Sequence, residues 1–389
     1  MGPPNVAIMR ILHTSDWHIG RTFHGVDLLD DQRAVLASIA ELVAAERVDV
    51  VVVPGDVYDR AIPSADAITV CNTAFEAIRA AGAHIVATSG NHDSPARLGA
   101  AAAFAAAGGL HLRTRVRDVD NPVLIGDTAF YGIPYLEPET ARAELDVPQA
   151  RTHADVLTAA MARIHRDAEI RGLRSVVLAH AFVTGCAAAG SERSISVGGV
   201  ETVPLSIFDG IDYVALGHLH SPQTVAERVR YCGSPLPYSF GERSHRKATW
   251  IVDLDRGTVT RHELPVVRGL SQLTGTLAEL LAESRFATAE THYVSAVLTD
   301  EVRPLDAMRR LQERFPHAIH VEWQRPQAPI QLRYRDRVAG RDDTTIAARF
   351  VTDVRGAPTD REMGWLTKAL AAAVREVPDA GPAALEESA

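Results

Sequence analysis

Cysteine is nearly missing from this sequence. Cys71, Cys186 and Cys232 are odd in number and far apart. They exclude a disulfide framework or a CxxC metal site, and a reducing cytoplasm is the simplest setting for them. Lysine is scarcer still. Only Lys247 and Lys368 occur, so almost every cation is an arginine, the better fork for phosphate. No run of 18 or more apolar residues appears, which excludes a membrane-spanning helix. The opening MGPPNVAIMR lacks a signal peptide's basic region and apolar centre, so residues 1–8 read as an unstructured lead-in. An excess of positive charge is also missing. The formal net charge of −9 argues weakly against a nucleic-acid partner. That objection softens where clustered carboxylates hold metal ions, because the count then omits the metals.

What is present is an ordinary globular composition, 46% hydrophobic and 23% charged, long enough for two or three domains. From Arg10 onward short apolar runs alternate with helical patterns. RILHT, VDVVVVPG (48–55) and HIVATSG (84–90) read as strands, while 31–46 and 65–82 have apolar residues at helical spacing. Strand, helix, strand, helix, strand is the signature of an α/β sheet with parallel crossovers. The alanine-rich SPARLGAAAAFAAAGG reads as a packed helix. Later strands are expected at 129–134, 175–180, 212–217, 248–255 and 258–265, with a helix over 152–171. Residues 270–325 repeat strand, helix, strand, helix, strand as a smaller domain. The charge run RDRVAGRDD then leads into a helical tail, and PDAGPAALEESA reads as disordered.

Five polar clusters each follow an apolar strand: SDWH (15–18), GDVYD (55–59), GNHD (90–93), LAH (178–180) and GHLH (217–220). Functional groups of open α/β sheets collect at the carboxyl ends of strands, so five ends can converge on one site. Asp16 and His18 stand two apart, as do His218 and His220. In extended chain each pair shares a face and can grip one metal from one side. Asp56 ends a buried strand, where a carboxylate is costly unless paired or metal-bound. Asn91 and His180 add one donor each. This mixed oxygen and imidazole set suits Mn, Fe, Zn or Ni better than Mg and is too large for one tetrahedral zinc. Two ions sharing Asp56 fit it, and two metals about 4 Å apart suit in-line displacement at phosphorus. The other histidines read as structural or solvated, with His13 and His24 the first exceptions to look for.

These clusters resemble the calcineurin-like metallophosphoesterases, whose pattern D-x-H, G-D-x-x-D, G-N-H-D, H and G-H-x-H they reproduce. The flanking text, HTSDWHIGRTFHG, GDVYDRAIPS, TSGNHDSPARL, LAHAFVTG with GSERSISVGG, and YCGSPLPYSFGE, is similar to the nuclease subunits (SbcD) of bacterial SbcCD complexes. The resemblance covers nearly the whole chain. It implies an α/β fold, a β-sandwich flanked by helices (αββα), over residues 9–268. A smaller α/β cap domain facing DNA would follow over 269–337, then a helical partner-docking segment over 338–378 and a disordered tail over 379–389. Asp16, His18, Asp56 and His220 would hold one divalent ion, and Asp56, Asn91, His180 and His218 the other, with Mn2+ the expected metal. His92 would act on the scissile phosphate, and Asp93 would orient His92. The implied activity is 3′→5′ exonuclease on duplex ends and endonuclease on hairpins or single strands, in DNA repair and recombination. The implied partners are DNA and an SbcC-type ATPase, with a homodimer inside a heterotetramer, in the cytoplasm and away from membranes. Two other readings are a small-molecule phosphodiesterase, which has no need of the second domain or tail, and a non-catalytic scaffold, which would have eroded ligands.

Overall fold

The computed structural model describes residues 9–187, 202–324 and 340–375. The lead-in, the GSERSISVGG stretch, most of the RDRVAGRDD run and the 379–389 tail lie outside them. The chain forms two compact units. One runs to Gln272 and adds Thr288–Ser295 and His317–His320. The other comprises Leu273–Ala287, Ala296–Pro316 and the chain from Val321.

The first unit is built on two six-stranded sheets. In the first sheet Arg10–His13, Val50–Pro54, His84–Thr88 and Leu110–Arg113 run parallel, and Ala248–Asp253 and Thr258–Glu263 complete one edge antiparallel. In the second, Thr128–Ile133, Arg174–His180, Tyr213–Gly217 and Val229–Tyr231 are parallel, and the short strands Val123–Ile125 and Gln223–Ala226 close the edges antiparallel.

Strand alternation explains why the central strands are apolar throughout. Successive side chains point to opposite faces, and both faces of the central strands are covered. Val50 and Val52 join Ile11, Val86, Phe130, Val176, Leu178, Tyr213 and Trp250 in a layer of their own. Val51 and Val53 face the other way, into the core formed with helices Leu29–Glu46 and Ala65–Ala80. In the second sheet Val177 and Ala179 pack towards Val156, Leu157, Ala160 and Ile164 of helix His153–Arg171. The result is helix, sheet, sheet, helix, as the family resemblance implied. Helix starts are set by capping. Ser64 accepts from Ala67, and Thr152 and Asp155 form a capping box.

The alanine-rich segment departs from expectation. It forms two short helices, Pro95–Leu98 and Ala102–Ala107, interrupted at Gly99. No residue of the second is buried, and Phe104 is 86% exposed. Glycine is a poor helix residue and alanine offers little area to bury, so neither propensity nor packing extends the helix.

The later part of the chain gives a three-stranded sheet in the order Leu270–Gly275, Tyr293–Leu298, Ala318–Trp323, with helices Leu277–Ala282 and Ala307–Arg314 in the intervening segments. Helices Asp343–Arg355 and Asp360–Arg375 follow. No helix among the described residues is long and apolar enough to cross a membrane.

Candidate metal centre

All nine candidate residues lie at or just beyond the carboxyl ends of five parallel strands. Three of these strands belong to the first sheet and two to the second. Asp16 and His18 follow Arg10–His13, Asp56 follows Val50–Pro54, and Asn91, His92 and Asp93 follow His84–Thr88. His180 ends Arg174–His180, and His218 and His220 follow Tyr213–Gly217. Asp16 and His18 are fully buried, and Asp56, His180, His218 and His220 nearly so.

The backbone is left-handed at four of them: Asp16 (φ 52°), His18 (φ 44°), Asp56 (φ 50°) and His218 (φ 103°). Such conformations cost on the order of 1–3 kcal/mol per residue and persist where the surroundings enforce them. Asp and His tolerate them better than most side chains. This overturns the picture of extended pairs sharing a face. Asp16 and His18 do converge, but through left-handed backbone at both positions rather than extended chain. His218 and His220 part company. The His220 ring stands 4.9 Å from His18, whereas the His218 ring stands 5.2 Å from His180.

Close backbone approach also fixes glycines in the motifs. A Cβ on Gly90 would lie 2.1 Å from Asp56 Oδ1, and one on Gly217 would lie 2.0 Å from the Pro54 carbonyl. Gly90→Ala is therefore expected to destabilise the fold by about 1–3 kcal/mol through overpacking, and to displace Asp56. A urea midpoint and an activity both at wild-type level would contradict the close approach.

Three groups of three donors have ligand atoms within 4.8 Å of one another: Asp16, His18 and His220; Asp16, Asp56 and His180; and His18, Asp59 and His92. Asp56 Oδ2 lies 3.5 Å from Nε2 of His18 and 3.5 Å from Nε2 of His180, a bridging position between two sides. His218 belongs to none of the three, but its backbone N–H donates to Asp16 Oδ1 at 2.8 Å.

The hydrogen bonding within the centre fits a bound cation. His180 Nδ1 is 3.0 Å from the Pro54 carbonyl, while Nε2 is 2.9 Å from Asn91 Oδ1. Both partners are acceptors, and a neutral ring has only one proton to give. Burial pushes the His180 pKa down, against the opposing charge of Asp56, so the doubly protonated ring is disfavoured. A lone pair therefore faces oxygen, an arrangement a metal ion resolves. Nε2 of His18 and Nε2 of His220 lie 3.0 Å apart, close enough for one ring to donate to the other or for both to face one ion. Burial, together with the charges of His18 and Lys247, drives His220 far below its ordinary value. Asp56 shows the reverse balance. Burial opposes its charge, but His180, His18 and His92 outweigh that and hold its pKa at about 2.

The Asp93 side chain, expected to orient His92, is engaged by backbone groups of two turns. Its carboxylate accepts from the backbone N–H groups of Tyr58 (2.8 Å), Gly90 (2.9 Å) and Val57 (3.1 Å), tying the GDVYD and GNHD turns together. Burial and the nearby charge of Asp56 push its pKa up to about 7. His92 is instead held by the Asp59 carbonyl, 2.8 Å from Nδ1, and its N–H donates to Asp56 Oδ1 at 2.9 Å.

The structure adds residues that the sequence left unassigned. The Asp59 carboxylate lies 3.5 Å from His18 Nδ1, 3.4 Å from Arg21 and 3.9 Å from His92 Nδ1. It was visible in GDVYD as a second aspartate without a role. Gln32, buried on the first turn of its helix, donates to the carbonyls of His18 (2.7 Å) and Trp17 (3.2 Å) and accepts from Gly20 (2.9 Å). Nothing in the local sequence marks it.

Lys247 is buried and donates to the His220 carbonyl (2.8 Å), Ser234 Oγ (2.9 Å) and Glu242. Lys247→Met is expected to cost about 3–5 kcal/mol by leaving Glu242 buried without its cation. The double variant with Glu242→Leu should recover much of that loss in urea unfolding. Equal stability of Lys247→Met and the wild type would remove the pair from the account. His13 proves structural. It is enclosed in the sandwich between the Tyr213 hydroxyl and the Leu216 carbonyl, and burial pushes its pKa down to about 3.

Known proteins resemble the chain over most of its length. The D component of the SbcCD nuclease from the bacterium Staphylococcus saprophyticus is 28% identical over 353 residues, covering 90% of this chain and 94% of that one. Among solved structures, a protein of Thermus thermophilus matches with a TM-score of 0.41 at 16% identity, over 67% of this chain and 100% of that one. A dimetal phosphatase from Danio rerio matches at 0.38 and 14%, over 66% of this chain and 96% of that one. Residues 266–355 match a family described as the type 5 capsule protein repressor C-terminal domain. Residues 9–222, which contain every candidate ligand, match the calcineurin-like phosphoesterase family, and the chain belongs to that family of metal-dependent phosphoesterases.

Proposed function

We propose that this protein is the nuclease subunit of an SbcCD-type complex, cutting DNA phosphodiesters at a two-metal centre. The observation that carries the proposal is Asp56 Oδ2, equidistant at 3.5 Å from His18 and His180, with His92 beside it. Asp16, His18, Asp56 and His220 would hold one divalent ion, and Asp56, Asn91, His180 and His218 the other. The mixed oxygen and imidazole donors favour Mn2+. Bound ions would supply charge neutralisation at the phosphate and an acidified water.

The protein's own groups do the rest. His92 Nδ1 must donate to the Asp59 carbonyl, because a carbonyl only accepts. That commits the Nδ1 proton and leaves Nε2 as the working atom, which donates to developing negative charge and the leaving oxygen when it carries a second proton. Asp93 maintains the distance between the two turns that carry Asp56 and His92. Gln32 and Lys247 hold the carbonyls of His18 and His220, so the ligand turns keep their strained shape.

DNA as substrate is supported by the similarity to the staphylococcal SbcCD component along nearly its whole length. In this reading the activities are 3′→5′ exonuclease and hairpin or single-strand endonuclease. Residues 269–337 select DNA shape, and the helical segment within 338–378 docks on an SbcC-type ATPase in a heterotetramer. Phe350 and Val354, four apart on one helix face, are 56% and 48% exposed, and Trp365 on the next helix is 57% exposed. The decisive experiment is Mn2+-dependent digestion of labelled duplex and hairpin DNA beside a generic phosphodiester. Hydrolysis of the generic ester alone would return the protein to small-molecule chemistry. Removing residues 340–389 is expected to abolish co-purification with the ATPase while sparing basal nuclease activity. A complex that survives the deletion would place the dock elsewhere.

A further inference from the structure

Next to Asn91 the first unit contains a cavity of about 820 Å3 that the metal centre does not use. This is within the range of roughly 300–1,000 Å3 found for small-ligand sites. Gly90 and Asn91 form part of its wall, so it is continuous with the GNHD turn. Opposite them stand Thr114, Arg115 and Arg117, beyond strand Leu110–Arg113, and Tyr135, beyond strand Thr128–Ile133. A second cavity of about 220 Å3 shares Thr114 and Arg115 and extends the groove to His111 and Arg113.

The side chains divide by availability. Arg113 is committed to the Asp118 and Asn121 carbonyls, and Arg117 Nε lies 3.6 Å from Glu144. The guanidinium of Arg115 is exposed and makes no hydrogen bond or ion pair among the described residues. Tyr135 is tied to the centre twice. Its backbone N–H donates to the Ser89 carbonyl at 2.8 Å, and its ring stands edge-on to His180 with centroids 6.3 Å apart. A guanidinium and an anchored aromatic ring lining one groove, which Glu137 and Glu144 also line and which reaches Asn91, form the pairing that single-stranded nucleic acid uses. The guanidinium takes a phosphate and the ring takes a base face.

We propose that this groove is a subsite for a single-stranded segment of the substrate, in which Arg115 pairs with the phosphate next to the one being cut and Tyr135 stacks on the adjoining base. The proposal rests on the nuclease reading above. It supplies what a small diester does not need, a hold on the neighbouring nucleotide. No bond changes at this subsite.

The test is binding of a fluorophore-labelled penta-thymidylate to the full chain in EDTA, by anisotropy across a salt series. It is joined by kcat/KM for the same oligonucleotide and for bis(4-nitrophenyl) phosphate with Mn2+. Arg115→Ala is expected to lower the slope of log affinity against log salt by about 0.7, one phosphate's worth on a single strand. Arg115→Lys should keep that slope. Tyr135→Ala should weaken binding about tenfold without changing the slope, as loss of one base stack does. In both alanine variants the ratio of oligonucleotide to small-diester kcat/KM falls. Ala96→Trp, which fills the cavity from an exposed position, should lower the same ratio. If the wild type cleaves the oligonucleotide while all three weakening variants bind and discriminate like it, the subsite is wrong and the nuclease stands. If the wild type neither binds nor cleaves oligonucleotides, the nuclease reading falls and the subsite with it.

Discussion

Asp56→Ala is expected to empty or cripple both metal positions and to lower phosphodiesterase activity by about 10⁴ or more, a modest part of the accelerations above ~10⁶ that enzymes reach. The expectation follows from one atom. Asp56 Oδ2 is equidistant from His18 and His180, and Oδ1 is taken by the His92 N–H, so this carboxylate would serve both proposed metal positions while it holds the His92 turn. Its removal leaves His18, His92 and His180 crowded without the negative charge that offsets them. Asp56→Asn is the stricter form, because it keeps the shape and deletes the charge. Metal analysis of the purified variants decides the matter. Two full sites per chain in either variant would refute the bridge, whatever the activity.

His92→Ala should behave oppositely, keeping both metals and losing about 10²–10³ in kcat, the usual cost of removing one transition-state donor. His92 is held through its backbone to Asp56 and through Nδ1 to the Asp59 carbonyl. Neither anchor passes through a ring nitrogen that the proposed ligand sets employ. The loss should fall on kcat rather than on metal content. It should shrink for substrates with good leaving groups, such as nitrophenyl esters, that need no proton. A uniform loss across leaving groups would make His92 a positioning residue. An unchanged rate would remove it from the mechanism.

Much of the fold was legible because the central strands are β-branched apolar runs ended by glycine or a polar cluster. The Val50–Pro54 strand, buried on both faces, is the plainest case. Strand ends then pointed to the centre, since a side chain just past a parallel strand has few other places to go. Three things were hidden. The left-handed turns at Asp16, His18, Asp56 and His218 leave no periodic trace, so an extended reading keeps the ligand pairs, His218 and His220 included, on one face. Asp93 beside His92 suggests a partnership, but nothing in the local sequence tells that three backbone N–H groups claim the carboxylate. Gln32 reaches its carbonyls from a helix twelve or more residues away from the loop it holds, a contact that only the folded chain creates.

The two proposed ligand sets have a consequence for the sandwich itself. Each draws donors from both sheets: Asp16, His18 and Asp56 with His220, and Asp56 and Asn91 with His180 and His218. Each ion would therefore act as a rivet through two plates. Metal loading and sheet-to-sheet adhesion become one equilibrium, since whatever binds the folded state alone also stabilises it. The spacing of the plates, set by Phe130, Tyr213 and Trp250 between them, becomes a gauge for the spacing of the rivets. Side chains that never see a substrate would in this way help set the distance across which a phosphate is held.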